Sequence, residues 1–282
     1  MNNNERGAKV KIKMIGLDLD GTLLDSQKKM SAYTLEVLQQ AIENGIEIVI
    51  ATGRSLCGIP KQLLDLQGIR YIVTANGARI SDVQEDKALY ETTMDKEIVR
   101  QALSILNEYD AARELLVGGE SRMEVEKLRA IADYMNSEAL AQYVRETRVG
   151  TSDLMGILES TQQSIEKVHA IFKREEERQE AWKKVEKLEG VEICGSLGNN
   201  IEINAKGVNK GKGLLRLGEL CGIAREEIMA VGDDLNDLEM IRMVGFGVAM
   251  ENGNALVKEH AQYITVTNDE DGVAKAIVKF AL

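Results

Sequence analysis

Residues 11–22 read Lys11-Ile12-Lys13-Met14-Ile15-Gly16-Leu17-Asp18-Leu19-Asp20-Gly21-Thr22. The apolar, β-prone run ending at Asp18 predicts a buried strand, and Asp-Leu-Asp-Gly-Thr predicts the turn where the chain leaves its sheet. In open α/β sheets that edge, outside the carboxyl ends of the strands, is where ligands bind. Two aspartates there at i and i+2 repel each other by about 4 kcal/mol at about 4 Å in an effective dielectric of about 20. A cation is therefore expected to hold them together, although Asp-x-Asp by itself also reads as an ordinary strand-ending turn.

Further along the chain, residues 32–44 carry Leu35, Leu38, Ala41 and Ile42 on one helical face, Gly45 follows as a left-handed cap, and residues 47–51 read as a second strand. A helix over 60–67, closed by Gly68, leads to a third strand at 71–75. The same alternation resumes late in the chain: helix 212–221, strand 228–231, helix 235–244, strand 247–249, helix 254–260 and strand 263–266. Strands alternating with helices of this length predict an α/β fold with a doubly wound, parallel, Rossmann-like sheet. Between them the pattern changes, with strands at 89–94, 114–117 and 168–172 and helices at 96–108 and 174–189. This predicts an inserted α+β domain. The expected division is a core of residues 1–82 and 198–282 and an insert of 83–197, with hinges in the polar stretches 81–86 and 195–200. A length of 282 residues suits two domains. The charge-dense run 173–180 reads as a solvated helix face.

Composition narrows the function classes. Hydrophobic residues at 44% and charged residues at 29% are the balance of a folded globular chain. With 35 Lys and Arg against 46 Asp and Glu, the net charge of −11 argues against nucleic acid or an anionic membrane as the main partner. Aromatic residues are only 4%, with the single Trp182, and offer no stacking platform for bases. Cys57, Cys194 and Cys221 are in no metal-ligand spacing and are expected to be free thiols in a reducing compartment. No apolar stretch reaches the roughly 18–20 residues of a membrane span, and residues 1–13 lack the apolar segment of a secretory signal. A cytoplasmic location is expected, with residues 1–8 as a loose tail. His169 and His260 fall outside every motif and are expected to be structural.

A second acidic cluster, Gly232-Asp233-Asp234-Leu235-Asn236-Asp237, also follows a strand. With that strand in the same sheet, Asp18, Asp20, Asp233 and Asp237 converge at one edge. Hard oxygen ligands without His or Cys suit Mg²⁺, whereas the twelve-residue loop with a closing Glu that suits Ca²⁺ is missing. Thr52-Gly53-Arg54, at the end of the second strand, offers an anion a hydroxyl and backbone N–H groups, as many ordinary loops do. Lys210 stands at a helix start, where the dipole disfavours a cation by about 0.3–1 kcal/mol, and such a placement invites a functional explanation. The glycines from Gly207 to Gly213 lack the spacing and the preceding strand of a nucleotide-binding P-loop.

In order and character these segments resemble the four motifs of the haloacid dehalogenase-like hydrolases, and the resemblance spans the whole chain. Asp18-Leu19-Asp20-Gly21-Thr22 matches the first motif, Thr52 the second, Lys210 the third, and Gly232-Asp233-Asp234-Leu235-Asn236-Asp237 the fourth. The insert between Thr52 and Lys210 is similar to the α/β cap of the Cof-type subfamily, which Asn76-Gly77-Ala78 and Glu202-Ile203 also fit.

The resemblance implies Mg²⁺-dependent hydrolysis of small phosphomonoesters, sugar phosphates or related metabolites, through an aspartyl-phosphate. Asp18 would be the nucleophile and Asp20 the acid and base. Asp18, Asp233 and the Asp20 backbone carbonyl would hold the metal, with Asp237 bound through water or bracing Lys210. Thr52, the Gly53 N–H and Lys210 would neutralise the phosphoryl oxygens, and Asn236 would bind the phosphate or orient a ligand. Arg54 and Asn76 are candidate substrate contacts with equally good structural explanations. The insert would act as a lid, with Ser121, Arg122 and Glu124 as positions that could face the site. A phosphomutase, and a protein that binds a phosphometabolite without turnover, are the alternatives. The expected partner is a small phosphorylated metabolite, and the expected state a monomer or homodimer.

Overall fold

The computed structural model describes residues 11–195 and 198–282. The expected tail, residues 1–8, and residues 196 and 197 of the expected hinge lie outside the described residues. The first five strands are Met14–Leu17 (β1), Glu47–Ala51 (β2), Tyr71–Thr74 (β3), Arg79–Asp82 (β4) and Lys87–Glu91 (β5). Six more follow: Ala111–Val117 (β6), Glu120–Glu124 (β7), Val149–Thr151 (β8), Ile165–Phe172 (β9), Val191–Cys194 (β10) and Asn200–Ala205 (β11). The last three are Ile228–Gly232 (β12), Phe246–Ala249 (β13) and Tyr263–Ile264 (β14). Among the described residues they form an eight-stranded sheet, β14-β13-β12-β1-β2-β3-β4-β5, and a six-stranded sheet, β10-β11-β9-β6-β7-β8.

The larger sheet is parallel from β14 to β3 and doubly wound, as the sequence predicts. Period-two alternation explains why both of its faces are covered. Ile15 and Leu17 of β1 pack with Val37, Leu38, Ala274 and Ile277 of the helices Ala32–Glu43 and Gly272–Phe280. Met14, on the opposite face, packs with Leu214, Leu217, Met240 and Ile241. Strands buried on both sides read as continuous apolar runs, which is what makes them visible in sequence. Each fully buried aliphatic side chain contributes about 1.5–3 kcal/mol. A Cβ on Gly16 would meet Leu214 Cδ2 at 2.4 Å, so the bare glycine lets the helix Lys210–Cys221 settle onto β1.

Two expectations change. Residues 83–86 are not a hinge: they form the turn of an antiparallel hairpin in which β5 extends the eight-stranded sheet. Asp82 Oδ1 accepts the backbone N–H groups of Gln84 and Glu85, and Asp86 takes a positive φ of 48°. The polar composition of a hinge is also that of a tight turn. At the other junction β11 pairs with β9 and β10, so Asn200–Ala205 belongs to the six-stranded sheet. Sheet membership thus changes after Glu91 and after Ala205, rather than at 82/83 and 197/198.

The six-stranded sheet has two unlike faces. Val168, Ala170, Phe172, Ile201 and Ile203 point to one side and pack with Val99, Leu103, Leu158 and Val185 of its helices. The alternate residues Lys167, His169, Ile171, Asn200 and Glu202 line a cleft shared with the ends of β1, β2 and β12. Leu116 packs with Ala75, Ala78 and Val208, joining the two units.

Candidate active site

Asp18, Thr52 and Asp233 each follow the last residue of a strand in the order β2-β1-β12, so the pairing of three adjacent parallel strands brings them to one edge. The register is tied down there by the Asp18 N–H, which donates to the Val231 carbonyl at 3.1 Å. Lys210 reaches the same point as the first residue of its helix, whose N-cap Asn209 accepts the Lys212 N–H. Its Nζ donates to Asp18 Oδ1 at 2.6 Å and to Asp237 Oδ1 at 2.7 Å, and the whole side chain is buried. Burial opposes a charge on Lys210, but the two carboxylates outweigh it and hold the ammonium protonated. Asp237 has its other oxygen engaged by the N–H groups of Asp233 and Asp234.

Oxygens of Asp18, Asp233 and Asp237 lie within 4.8 Å of one another. The Lys210 ammonium leaves negative charge in excess among these three carboxylates: burial first, then Asp237, raises Asp18 well above the usual carboxylate range, and the same two causes push Asp233 up to about 7. Thr22 Oγ1 donates to Asp233 Oδ1 at 2.7 Å. Carboxylates too crowded to ionise together fit a hard divalent cation, and oxygen donors without nitrogen or sulfur fit Mg²⁺.

Asp20 has the opposite environment. Arg54 donates from Nε to Oδ2 and from Nη2 to Oδ1, both at 2.7 Å, and Lys28 Nζ donates to Oδ1 at 2.8 Å. Burial would raise its pKa, but these cations outweigh it and hold the carboxyl far below its ordinary value. Lys28 does this from a left-handed backbone position, φ 61°. Arg54 also donates to the Gly58 carbonyl at 2.8 Å, and its guanidinium lies 4.3 Å from the centre of the Tyr143 ring.

Thr52 is buried, and its Oγ1 accepts the Arg54 N–H at 3.2 Å. The Gly53 carbonyl accepts from Lys167 Nζ at 2.6 Å. Asn76 sits in the left-handed region, φ 57°, and does not line the cleft. Its amide instead donates to Glu202 Oε2 at 2.6 Å and Asn204 Oδ1 at 3.2 Å. Asn236 does line the cleft, near Asn76.

The opposite wall carries residues outside the recognised motifs. Glu114 accepts from Arg148 Nε at 2.8 Å and lies 3.1 Å from His169 Nδ1. Asn200 Nδ2 donates to His169 Nε2 at 3.1 Å and to Glu202 Oε1 at 3.2 Å, and Glu202 Oε2 accepts from Lys167 at 3.0 Å. This chain of polar groups runs unbroken from Arg148 to the Gly53 carbonyl. The helix Glu138–Thr147 adds Leu140, Tyr143 and Val144, spaced at i, i+3 and i+4 to present one face to the cleft. The cleft encloses about 770 Å³ of empty space, part of it open to solvent.

The sequence model of the haloacid dehalogenase-like hydrolases matches residues 15–277. The chain belongs to that family. It is 31% identical over 273 residues, 97% of each chain, to a 5-amino-6-(5-phospho-D-ribitylamino)uracil phosphatase of Bacillus subtilis. It is 32% identical over 281 residues to a second B. subtilis phosphatase, with 93% of this chain and 98% of the other aligned. A haloacid dehalogenase-like hydrolase from B. subtilis superposes with a TM-score of 0.84 at 31% identity, covering 96% of this chain and all of the other (100%). A sugar phosphatase of subclass IIB superposes at 0.79 with 27% identity, covering 95% and 98%. The Cof-type resemblance is thereby established, and this hydrolase is a phosphatase acting on a small phosphorylated compound.

Within this hydrolase the structure brings Asp18, Asp20, Thr52, Gly53, Arg54, Asp233 and Asn236 to the cleft and sets Lys210 and Asp237 directly beneath. Ser121, Arg122 and Glu124 do not line it; Glu124 pairs with Arg113 and Arg122 with Glu120. His169, expected to be structural, has both ring nitrogens engaged yet faces the cleft. His260 Nδ1 lies 2.9 Å from the Leu256 carbonyl, in its own helix. Lys28, Tyr143, Arg148 and Lys167 escaped the sequence reading, although strand alternation could have grouped Lys167 with His169. Among the described residues no helix is long and apolar enough to cross a membrane.

Proposed function

We propose that this chain is a Mg²⁺-dependent phosphatase that hydrolyses small phosphomonoesters of sugar or polyol type through an aspartyl-phosphate on Asp18. The observation that carries this reading is the Lys210 ammonium, buried between Asp18 and Asp237 while Asp233 and Thr52 stand beside them. A site built only to bind phosphate has no use for an excess of carboxylates at its floor.

Asp18 attacks phosphorus in line with the leaving oxygen, and the phosphorus–oxygen ester bond breaks as the aspartyl-phosphate forms. Asp20 protonates the departing oxygen, then takes a proton from the water that attacks the aspartyl-phosphate and frees Asp18 and inorganic phosphate. Without substrate, Arg54 and Lys28 keep Asp20 ionised, the state that the water step needs. The arriving phosphate dianion offsets the charge of those cations while Arg54 stays on Asp20, and so permits the protonated state that the first step needs. Thr52, the Gly53 N–H and Lys210 stabilise the equatorial oxygens. Asp18, Asp233 and the Asp20 carbonyl would hold Mg²⁺, which would supply charge neutralisation. Asp237, with both oxygens engaged, braces Lys210.

We take the six-stranded unit as a cap that closes over the leaving group. Its wall combines donors and acceptors with Leu140, Val144 and Ile171, which suits a hydroxylated chain or ring with some apolar surface. Relatives named for a ribityl phosphate and a sugar phosphate support that class. The free cysteines support a cytoplasmic setting. The test is phosphate release from a panel of sugar, polyol and aryl phosphates with Mg²⁺ or EDTA. Release that requires Mg²⁺ and is lost in Asp18→Asn is expected; release indifferent to both would overturn the reading.

A further inference from the structure

The Asp20 carboxylate is joined to the cap through two side chains. Arg54 forks onto both of its oxygens, and the same guanidinium lies 4.3 Å from the centre of the Tyr143 ring, on the cap helix Glu138–Thr147. Arg148, fixed by Glu114, lies 5.1 Å from the same ring. A cation near an aromatic ring is attracted electrostatically, most strongly where water is excluded, and both guanidinium groups are largely buried. The ring is also fitted to the core: a Cβ on Gly58 would lie 2.3 Å from Tyr143 Oη, and the Gly58 carbonyl accepts from Arg54 Nη1. Gly58, Arg54 and Tyr143 therefore meet at one point between the core and the cap.

We infer that Tyr143 is a positioning residue: its ring holds Arg54 in the orientation that aims the Asp20 carboxyl at the leaving oxygen, so docking of the cap helix aligns the proton donor. The inference rests on the phosphatase reading with Asp20 as acid and base. It differs from simple substrate contact in the step it affects. Loss of the ring weakens delivery of the proton from Asp20 to the leaving oxygen, and that step matters most for esters of weakly acidic alcohols.

The experiment compares the full chain with its Tyr143→Leu, Tyr143→Phe and Gly58→Ala variants, in Mg²⁺, on phenyl phosphate and p-nitrophenyl phosphate. These esters share a ring but differ in leaving group: phenol keeps its proton to about pH 10, whereas nitrophenol departs readily without it. The value of kcat/KM reports only steps up to that departure. For Tyr143→Leu it should fall about tenfold further on phenyl phosphate than on p-nitrophenyl phosphate. Tyr143→Phe, which keeps the ring, should stay within about twofold of the parent on both esters. Gly58→Ala, which displaces the ring from the core side, should reproduce the Leu pattern. Equal losses on the two esters in both Tyr143→Leu and Gly58→Ala, or a Phe variant as impaired as Leu, would overturn the inference. No release of phosphate by the parent chain would instead overturn the phosphatase reading.

Discussion

Lys210 Nζ stands 2.6 Å from Asp18 Oδ1 at a point where neither side chain has appreciable contact with water. The proposed nucleophile and its cation are thus one buried unit, and the two partners should respond differently to removal. Lys210→Ala leaves Asp18 and Asp237 facing each other and should cost about 3–5 kcal/mol of stability together with all turnover. Asp18→Asn removes a charge that burial already opposes, so it should abolish turnover without lowering the midpoint of urea unfolding. A marked loss of stability in Asp18→Asn would contradict this account.

Metal and protons should compete at Asp233. Its pKa, pushed up to about 7 by burial and by Asp237, lies above the ordinary 3.8 of an unfolded chain. The folded, metal-free protein therefore holds a proton that the unfolded chain has released. That stabilises the fold at low pH and is lost as pH rises through about 7. On the proposed reading, Mg²⁺ would take the place of the proton. Thermal unfolding with EDTA or Mg²⁺ should show a larger stabilisation by metal at about pH 8 than at about pH 6, with more Mg²⁺ needed for half-saturation at the lower pH.

The ion pair of Arg148 and Glu114 should show the reverse dependence. Burial alone would raise the Glu114 pKa, but Arg148 and then His169 hold it far below the ordinary 4.5. Its contribution is complete above that ordinary value and disappears as pH falls toward the folded one. Glu114→Gln should cost about 3–5 kcal/mol near neutrality, by leaving Arg148 without its counter-charge. Urea unfolding should show the gap between parent and variant closing as pH drops below about 4.5.

Gly77 has φ 98°, and a Cβ there would lie 2.3 Å from the Asn209 carbonyl oxygen, next to Lys210. Gly77→Ala combines backbone strain with a shift of the helix that carries Lys210. A loss of about 2 kcal/mol is expected, with kcat falling more than KM rises. Unchanged kcat in a destabilised protein would mean that the helix start does not follow the turn.

Much of the floor was legible because its residues sit one position past buried strands, and strands buried on both faces announce themselves as apolar runs. Asp18, Thr52 and Asp233 needed only the parallel order of β2, β1 and β12 to meet. The opposite wall was not legible. Glu114, Arg148, His169 and Asn200 come from four separated segments, and only antiparallel pairing across β6, β9 and β11 sets three of them side by side. Lys28 was hidden because nothing local marks a lysine for the left-handed region. The stretch 81–86 misled because Asp82 and Asp86 serve a hairpin turn as readily as a hinge.

The alternation along β9 bears on how such a protein diversifies. Val168, Ala170 and Phe172 keep the six-stranded unit folded, while Lys167, His169 and Ile171 between them face the cleft. Selection can exchange every second residue of that strand and alter what is recognised, while the other residues preserve the scaffold. A lineage carrying this sheet can therefore sample new metabolites by small genetic steps, with Lys167, which donates to the Gly53 carbonyl, tying the strand to the turn that faces the phosphate.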